Sequence, residues 1–254
     1  MLSLAGKRGL VSGIANQHSI AYGCARVLAE QGAELAVTFL NEKSKPYVLP
    51  LADELHASIV MPCDVSKEDE LEKVFAAMQS QWGSIDFVIH SLAFCPPDEL
   101  HGRVVDSHWQ AFAEAMNVSC HSFIRMAKLA EPLMPQGGSL LAISYLGAER
   151  VVPSYSVMGP VKAALEASAR YMAIELAAQN IRCNILSPGP IQTRAAGGVR
   201  DFSHILQDAR ARSPNHTLAD IDDVGRAAAF LLSDASRAIN ASTLFVDEGV
   251  HILA

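Results

Sequence analysis

The sequence predicts an α/β fold built on a doubly wound parallel sheet of about seven strands, with helices on both faces. Three observations lead there. Short apolar runs rich in β-formers recur along the whole chain. Longer segments with helical periodicity separate them, and no linker rich in Pro, Gly or Ser divides the 254 residues. Strands are expected at Arg8–Ser12, Glu34–Thr38, Ser58–Met61, Phe87–His90, Ser139–Ile143, Arg182–Leu186 and Thr243–Val246. Each is short and nearly continuous in hydrophobicity, as a strand buried on both faces must be. Helices are expected at Ile20–Gln31, Lys67–Gln81, Trp109–Met134, Val161–Gln179 and Ile221–Leu232. Alternation of this kind gives right-handed crossovers and a Rossmann-like architecture, in which ligands bind beyond the carboxyl ends of the strands.

Composition narrows the classes. Half the residues are hydrophobic and the net charge is -7, which describes a globular chain with no basic arm for a nucleic acid. A chain of this length can bury about three quarters of its unfolded surface, so residues 1–254 are expected to form a single domain. Cys24, Cys63, Cys95, Cys120 and Cys183 are odd in number and lack metal-ligand spacing. They read as small buried hydrophobes in a reducing cytoplasm, with no metal expected. The N-terminus runs directly into the first strand, and no apolar run reaches membrane-spanning length.

The segment from Ser144 to Ala173 carries the chemistry. Lys162 follows Tyr155 by seven residues and Met158 by four, and offsets of three, four and seven share one face of a helix. A column of Tyr155, Met158 and Lys162 is therefore expected, with Tyr145 approaching from the end of the strand before it. A phenol beside an ammonium is a usable proton donor, because positive charge favours the phenolate left behind. The same residues also suit the core face of a buried helix.

The arrangement Tyr155-x-x-Met158-Gly159-x-x-Lys162, with Tyr145 upstream, resembles the enoyl-acyl carrier protein reductases, a divergent branch of the short-chain dehydrogenase/reductase family. Ordinary members have a tyrosine where Met158 stands. The resemblance extends over nearly the whole chain. It implies reduction of the 2,3 double bond of a 2-enoyl thioester in fatty-acid elongation, with Tyr155, Lys162 and Tyr145 as catalytic residues. Tyr155 hydrogen-bonds the thioester oxygen in that reading, and Lys162 holds the nicotinamide ribose.

The first strand leads into Gly13, and Ser19, Ile20 and Ala21 open the next helix, with Gly23 inside it. Small residues and helix amides at such a turn suit a pyrophosphate, although the GxGxxG fingerprint is absent. By resemblance, Gly13, Ala15, Ser19 and Ile20 form the phosphate turn. Asp64 and Val65 lie beside adenine, and Ser91, Leu92 and Ala93 close the fourth strand against the cofactor. Lys162 and Ile191 reach the nicotinamide half, and the Thr193 hydroxyl reaches the phosphates. Asp64 also reads as an ordinary helix N-cap. The cofactor expected is NADH, with NADPH as the alternative. The second strand ends in Thr38-Phe39-Leu40-Asn41-Glu42 without the usual ribose-binding acid, and the nearest basic residues are Lys43 and Lys45.

The resemblance places Ala93, Phe94, Tyr145, Tyr155, Met158, Ala195, Ala196 and Phe202 along the acyl chain. It also places a substrate-binding loop at about residues 193–212. Departures from the branch include Pro160 inside the motif, Asn117, Arg194, Asn240-Ala241-Ser242 in place of Ser-Gly-Glu, and Glu248 in place of a glycine. Pro160 costs little if the helix begins near Val157, because a first-turn amide has no intrahelical partner. The expected substrate carrier is acyl carrier protein or coenzyme A, met by Arg194, Arg200, Arg210 and Arg212. The expected assembly is a cytoplasmic homotetramer. A reductase of another enone or a carbonyl compound is the alternative activity, and a non-catalytic nucleotide sensor is a third reading.

Overall fold

The computed structural model describes residues 3–194, 196–198 and 201–253. Seven parallel strands form one sheet in the order β3-β2-β1-β4-β5-β6-β7. They are β1 (Arg8–Ser12), β2 (Glu34–Phe39), β3 (Ile59–Pro62), β4 (Phe87–His90), β5 (Gly138–Ile143), β6 (Ile181–Pro188) and β7 (Thr243–Val246). The order reverses between β1 and β4, which pair from Gly9↔Phe87 to Ser12↔His90. A crevice opens at such a reversal, beyond the strand ends.

Side chains alternate across the sheet into two cores. Leu10, Val88, Leu140 and Ala142 point to one face, under helices α3 (Glu70–Trp82), α5 (Trp109–Met116), α6 (Ser122–Ala130) and α7 (Met158–Glu175). Val11, Phe87, Ile89 and Leu141 point to the other, under α1 (Ile20–Glu30), α2 (Lys45–Glu54) and α9 (Ile221–Leu232). Helices α1 and α9 touch backbone to backbone. A Cβ on Gly23 would lie 2.3 Å from the Ile221 carbonyl oxygen, and one on Gly225 would lie 2.6 Å from that of Gly23. Gly23 therefore serves helix packing rather than phosphate approach.

Strand positions agree with the sequence reading to within two residues, but the helices depart from it, and α2 has no counterpart there. The helix expected over Trp109–Met134 is broken by a π-helical turn at Asn117–His121. The segment 193–212, expected as a loop, contains helix α8 (Phe202–Arg212). Helix α7 starts at Met158, so Pro160 falls in its first turn and costs little there. A short helix α4 (Pro97–Leu100) follows β4.

Candidate active site

The crevice is lined by the segments that leave β1, β4, β5 and β6. At the β1 exit Gly13 has φ +113°, and a Cβ there would lie 2.1 Å from the Ser91 carbonyl oxygen. Only glycine fits this close crossing. The Ser91 amide donates to Ser12 O at 3.1 Å, so the β1 and β4 exits are tied together. Ser19 Oγ accepts from the amides of Ala15 and Asn16 at 3.0 and 3.1 Å and folds the turn back onto the start of α1. The amides of Ile20 and Ala21 head that helix and have no intrahelical partner. A glycine-walled turn with helix amides at its mouth fits a dinucleotide pyrophosphate.

Beyond β3, Asp64 does not cap a helix. Its Oδ1 accepts from the amide and hydroxyl of Ser66 at 3.0 and 2.6 Å, and α3 begins later, at Glu70. Val65 is buried, and its carbonyl accepts from Arg125 at 2.9 Å. Beyond β2, Lys45 is paired with Glu42 at 3.2 Å and lies over the Phe39 ring. Its charge is thus already answered where a 2′-phosphate would need it.

Tyr155 does not share the α7 face with Lys162, because it lies before the helix starts. Residues on either side of it, Ser154 and Ser156, have φ +64° and +47°. The Tyr155 ring meets that of Tyr145 edge to face, with centroids 5.0 Å apart and planes at 63°. Gly147 makes room for it: a Cβ there would lie 2.4 Å from Tyr155 Cδ1.

Lys162 is buried, and its Nζ donates to Ile143 O at 2.7 Å. Burial lowers its pKa to about 8. Burial raises the Tyr155 phenol above its ordinary value, helped by Tyr145 and Cys95 nearby, and raises Tyr145 to about 12. Both tyrosines are neutral hydrogen-bond donors at working pH. The expectation that the ammonium draws the phenol toward ionisation is therefore not met. Met158 is buried among core side chains, with Tyr155 packed against that cluster.

Leu92 is partly buried and Phe94 is 41% exposed. Both the amide and the carbonyl of Phe94 are held by Ser119 Oγ, at 2.9 and 3.1 Å, which fixes the backbone beside Ala93. Ile191 packs against the α1 side of the sheet, and Thr193 Oγ1 accepts from the Ala196 amide at 3.1 Å. Ala196 lies in the short turn 196–198, where a Cβ on Gly198 would lie 3.5 Å from Leu100 of α4. Phe202 opens α8 and is half-buried. Ala195 and Arg200 lie outside the described residues. Among the described residues, no group of His, Cys, Asp and Glu is placed to hold a metal ion.

A protein-family model described as Enoyl-(Acyl carrier protein) reductase matches residues 13–251. The chain belongs to this family. Among enoyl-acyl carrier protein reductases, "Enoyl-[acyl-carrier-protein] reductase [NADH] 1" of Rhizobium meliloti is 46% identical over 97% of this chain and 90% of its own. The Salmonella typhimurium reductase FabI, also named as an NADH enzyme, is 43% identical over 99% and 96%. The solved Bacillus cereus reductase, in complex with NADP+ and indole naphthyridinone, superposes with a TM-score of 0.97 at 42% identity over the whole of both chains. That of Anaplasma phagocytophilum, in complex with NAD, gives 0.95 at 46% identity over 99% of this chain and 96% of its own.

Several polar contacts around the site escaped the sequence reading. Ser144 Oγ donates to Glu166 Oε1 at 2.5 Å, and Glu166, although buried, is one turn after Lys162. A lone acid on the buried face of an otherwise apolar helix is a signal that could have found it. His90 is fully buried, its pKa lowered to about 3 by burial and then by Lys162, and its Nε2 lies 2.7 Å from Ser122 Oγ. Ser119 and Ser122 reach these partners from the π-helical turn and its exit, a distortion with no signature in the sequence.

Proposed function

We propose that this protein reduces the 2,3 double bond of a 2-enoyl thioester, borne on acyl carrier protein, as a step of fatty-acid elongation, with NADH as the reductant. What carries the reading is the Tyr145–Tyr155 ring pair beside buried Lys162, at the strand ends nearest the Gly13–Ser91 crossing, in a chain of this family. Bound NADH supplies a hydride to the β-carbon of the thioester. Gly13, Ala15, Ser19 and Ile20 offer backbone to its pyrophosphate, with Asp64 and Val65 at adenine and Ser91, Leu92 and Ala93 under the bridge between. Ile191 would face the nicotinamide end, and the Thr193 hydroxyl would face the phosphates. Lys162, which donates one N–H to Ile143 O, would have the others free for the ribose hydroxyls.

As charge builds on the thioester oxygen, the Tyr155 hydroxyl donates to it from a fixed position, as an oxyanion-hole donor does. A phenol with a raised pKa stays protonated while it donates, and the enolate then takes a proton at its α-carbon from solvent water, which completes the saturated thioester. Tyr145 orients Tyr155 edge to face and walls the acyl pocket with Ala93, Phe94, Ala196 and Phe202. The segment that follows Thr193 and leads into α8 serves as the substrate-binding segment within a single domain. Met158 is read as packing beneath Tyr155.

The alternative of a carbonyl reductase is disfavoured by Met158, which puts a buried thioether where that chemistry needs a hydroxyl. A cytoplasmic homotetramer is the proposed assembly; among the described residues no helix is long and apolar enough to cross a membrane. The test is direct: purified protein is mixed with NADH and crotonyl or longer 2-enoyl thioesters, and loss of nicotinamide absorbance is followed. No consumption with any enoyl thioester, alongside turnover of a ketone, would replace this reading with the alternative.

A further inference from the structure

Tyr155 precedes α7, so helical hydrogen bonding does not place it. Its own backbone makes only turn contacts, from its amide to Val152 O at 3.2 Å and to its carbonyl from Met158 N at 3.1 Å. It also sits between two non-glycine residues in the left-handed region, Ser154 and Ser156. Such conformations persist only where the surroundings hold them.

At Ser156 the holding contact is visible. Its Oγ lies 3.0 Å from Glu99 O and 2.8 Å from Gly102 O, carbonyls more than fifty residues away in sequence. The turn that carries those carbonyls is itself fixed. The Gly102 amide closes it onto Glu99 O at 3.3 Å, and the buried Glu99 carboxylate accepts from the amide and ring of His108 at 3.1 and 2.6 Å. The same turn carries Leu100, against which the 196–198 turn lies.

We infer that Ser156 is a positioning residue: its hydroxyl ties the Tyr155 turn to the wall formed by residues 99–102 and so sets the phenol relative to the substrate oxygen. The inference rests on the role proposed above for Tyr155. Ser156 touches neither substrate nor cofactor in this account, and it acts through its neighbour. Two demands are placed on the residue at once, a left-handed backbone and a short side chain that donates a hydrogen bond. Glycine meets the first only, alanine neither, and asparagine both, because it tolerates positive φ and carries an amide donor.

The experiment compares Ser156→Gly, Ser156→Ala and Ser156→Asn with wild type, using NADH and crotonyl thioester, each also in a Tyr155→Phe background. Ser156→Gly and Ser156→Ala are expected to lose about tenfold or more in kcat, the scale on which displacement of a positioned group is felt. Ser156→Asn should stay within about threefold of wild type, and NADH affinity should hold in all three. In the Tyr155→Phe background the three substitutions should cost nothing further, since the group they position is gone. Ser156→Gly keeps the backbone unstrained, so its loss cannot be assigned to misfolding, and thermal melting verifies this. Wild-type kcat in Ser156→Gly, with Tyr155→Phe impaired, overturns the inference and leaves the Tyr155 role standing. Wild-type kcat in Tyr155→Phe overturns both, and undiminished losses in the double variants would make Ser156 merely structural.

Discussion

Lys162 Nζ donates to the main-chain carbonyl of Ile143 at 2.7 Å, and no hydrogen bond joins it to the Tyr155 phenol. The ammonium is thus anchored to the end of β5, one residue before Ser144, which Glu166 holds from the next turn of the same helix. This fixes which way Lys162 faces and separates its task from that of Tyr155.

The anchoring has a pH consequence. Burial takes Lys162 from the ordinary 10.5 to about 8 in the free protein. Between these values the folded protein has lost the proton while the unfolded chain retains it, so this group's contribution to stability rises with pH across that window. With Lys162 in its proposed role, NADH binding needs the ammonium and runs the other way: affinity should fall as pH rises through about 8. Fluorescence titration of NADH against pH measures it, and a flat profile between pH ~7 and ~9.5 would remove the charge from the binding step. Lys162→Met should bind NADH at least tenfold more weakly at pH ~7 without loss of thermal stability, because it removes a buried charge.

Tyr155→Phe deletes the donor proposed for the thioester oxygen and leaves the ring. A loss on the order of 10²-fold in kcat is expected, with a smaller change in KM. Because burial holds the phenol above its ordinary value of 10.0, the wild-type kcat profile should show no inflection from Tyr155 below that pH. Unaltered turnover in the variant would take Tyr155 out of the mechanism.

Gly147→Ala places a methyl group 2.4 Å from Tyr155 Cδ1 and 2.7 Å from Cε1. The ring must move away, and turnover should fall by about tenfold or more while NADH affinity is retained. A crystal structure of the variant with Tyr155 undisplaced and full activity would show that the 145–155 ring contact does not set the phenol.

Two departures from the family pattern prove to be strained. Ala241 and Glu248, each standing where the family has a glycine, have φ +58° and +57°. The left-handed conformation costs a non-glycine residue about 1–2 kcal/mol, and glycine's extra freedom in the unfolded chain returns about 0.4–1 kcal/mol of that. Ala241→Gly and Glu248→Gly should therefore each stabilise by about 0.5 kcal/mol, and the pair should raise Tm by about 2–4 °C. An unchanged or lower melting temperature for the double variant would mean that local contacts already compensate the strain.

The carrier protein gives the last prediction. Of the four arginines expected to meet it, Arg212 is already bound, donating to Leu253 O at 2.7 Å, whereas Arg194 and Arg210 are exposed. Reversing Arg194 and Arg200 to Glu should raise KM for carrier-bound substrate severalfold and leave the coenzyme A thioester nearly unaffected, with salt blunting the difference. Equal effects on both thioesters would mean that these residues do not read the carrier.

The sequence by itself determined the sheet. Strands such as Phe87–His90 and Thr243–Val246 are short apolar runs between polar segments, and burial on both faces writes that pattern directly into composition. It also supplied the Tyr145, Tyr155 and Lys162 set, because the motif's spacing is local. Tertiary structure decided how those residues are used. Helix periodicity put Tyr155 in a column with Lys162, but the helix starts after it, since Ser156 is pulled into the left-handed region by carbonyls at Glu99 and Gly102. Continuous helical pattern ran from Trp109 onward, yet Ser119 grips Phe94 and Ser122 meets His90, and a π-helical turn brings both within reach. A phenol beside a lysine in sequence suggested an ionising pair, and burial drove their pKa values in opposite directions instead. In the first two cases the deciding partner lies far along the chain, and in the third it is burial. Periodicity reports which face of an element is buried; which polar groups meet there is settled only when distant segments pack.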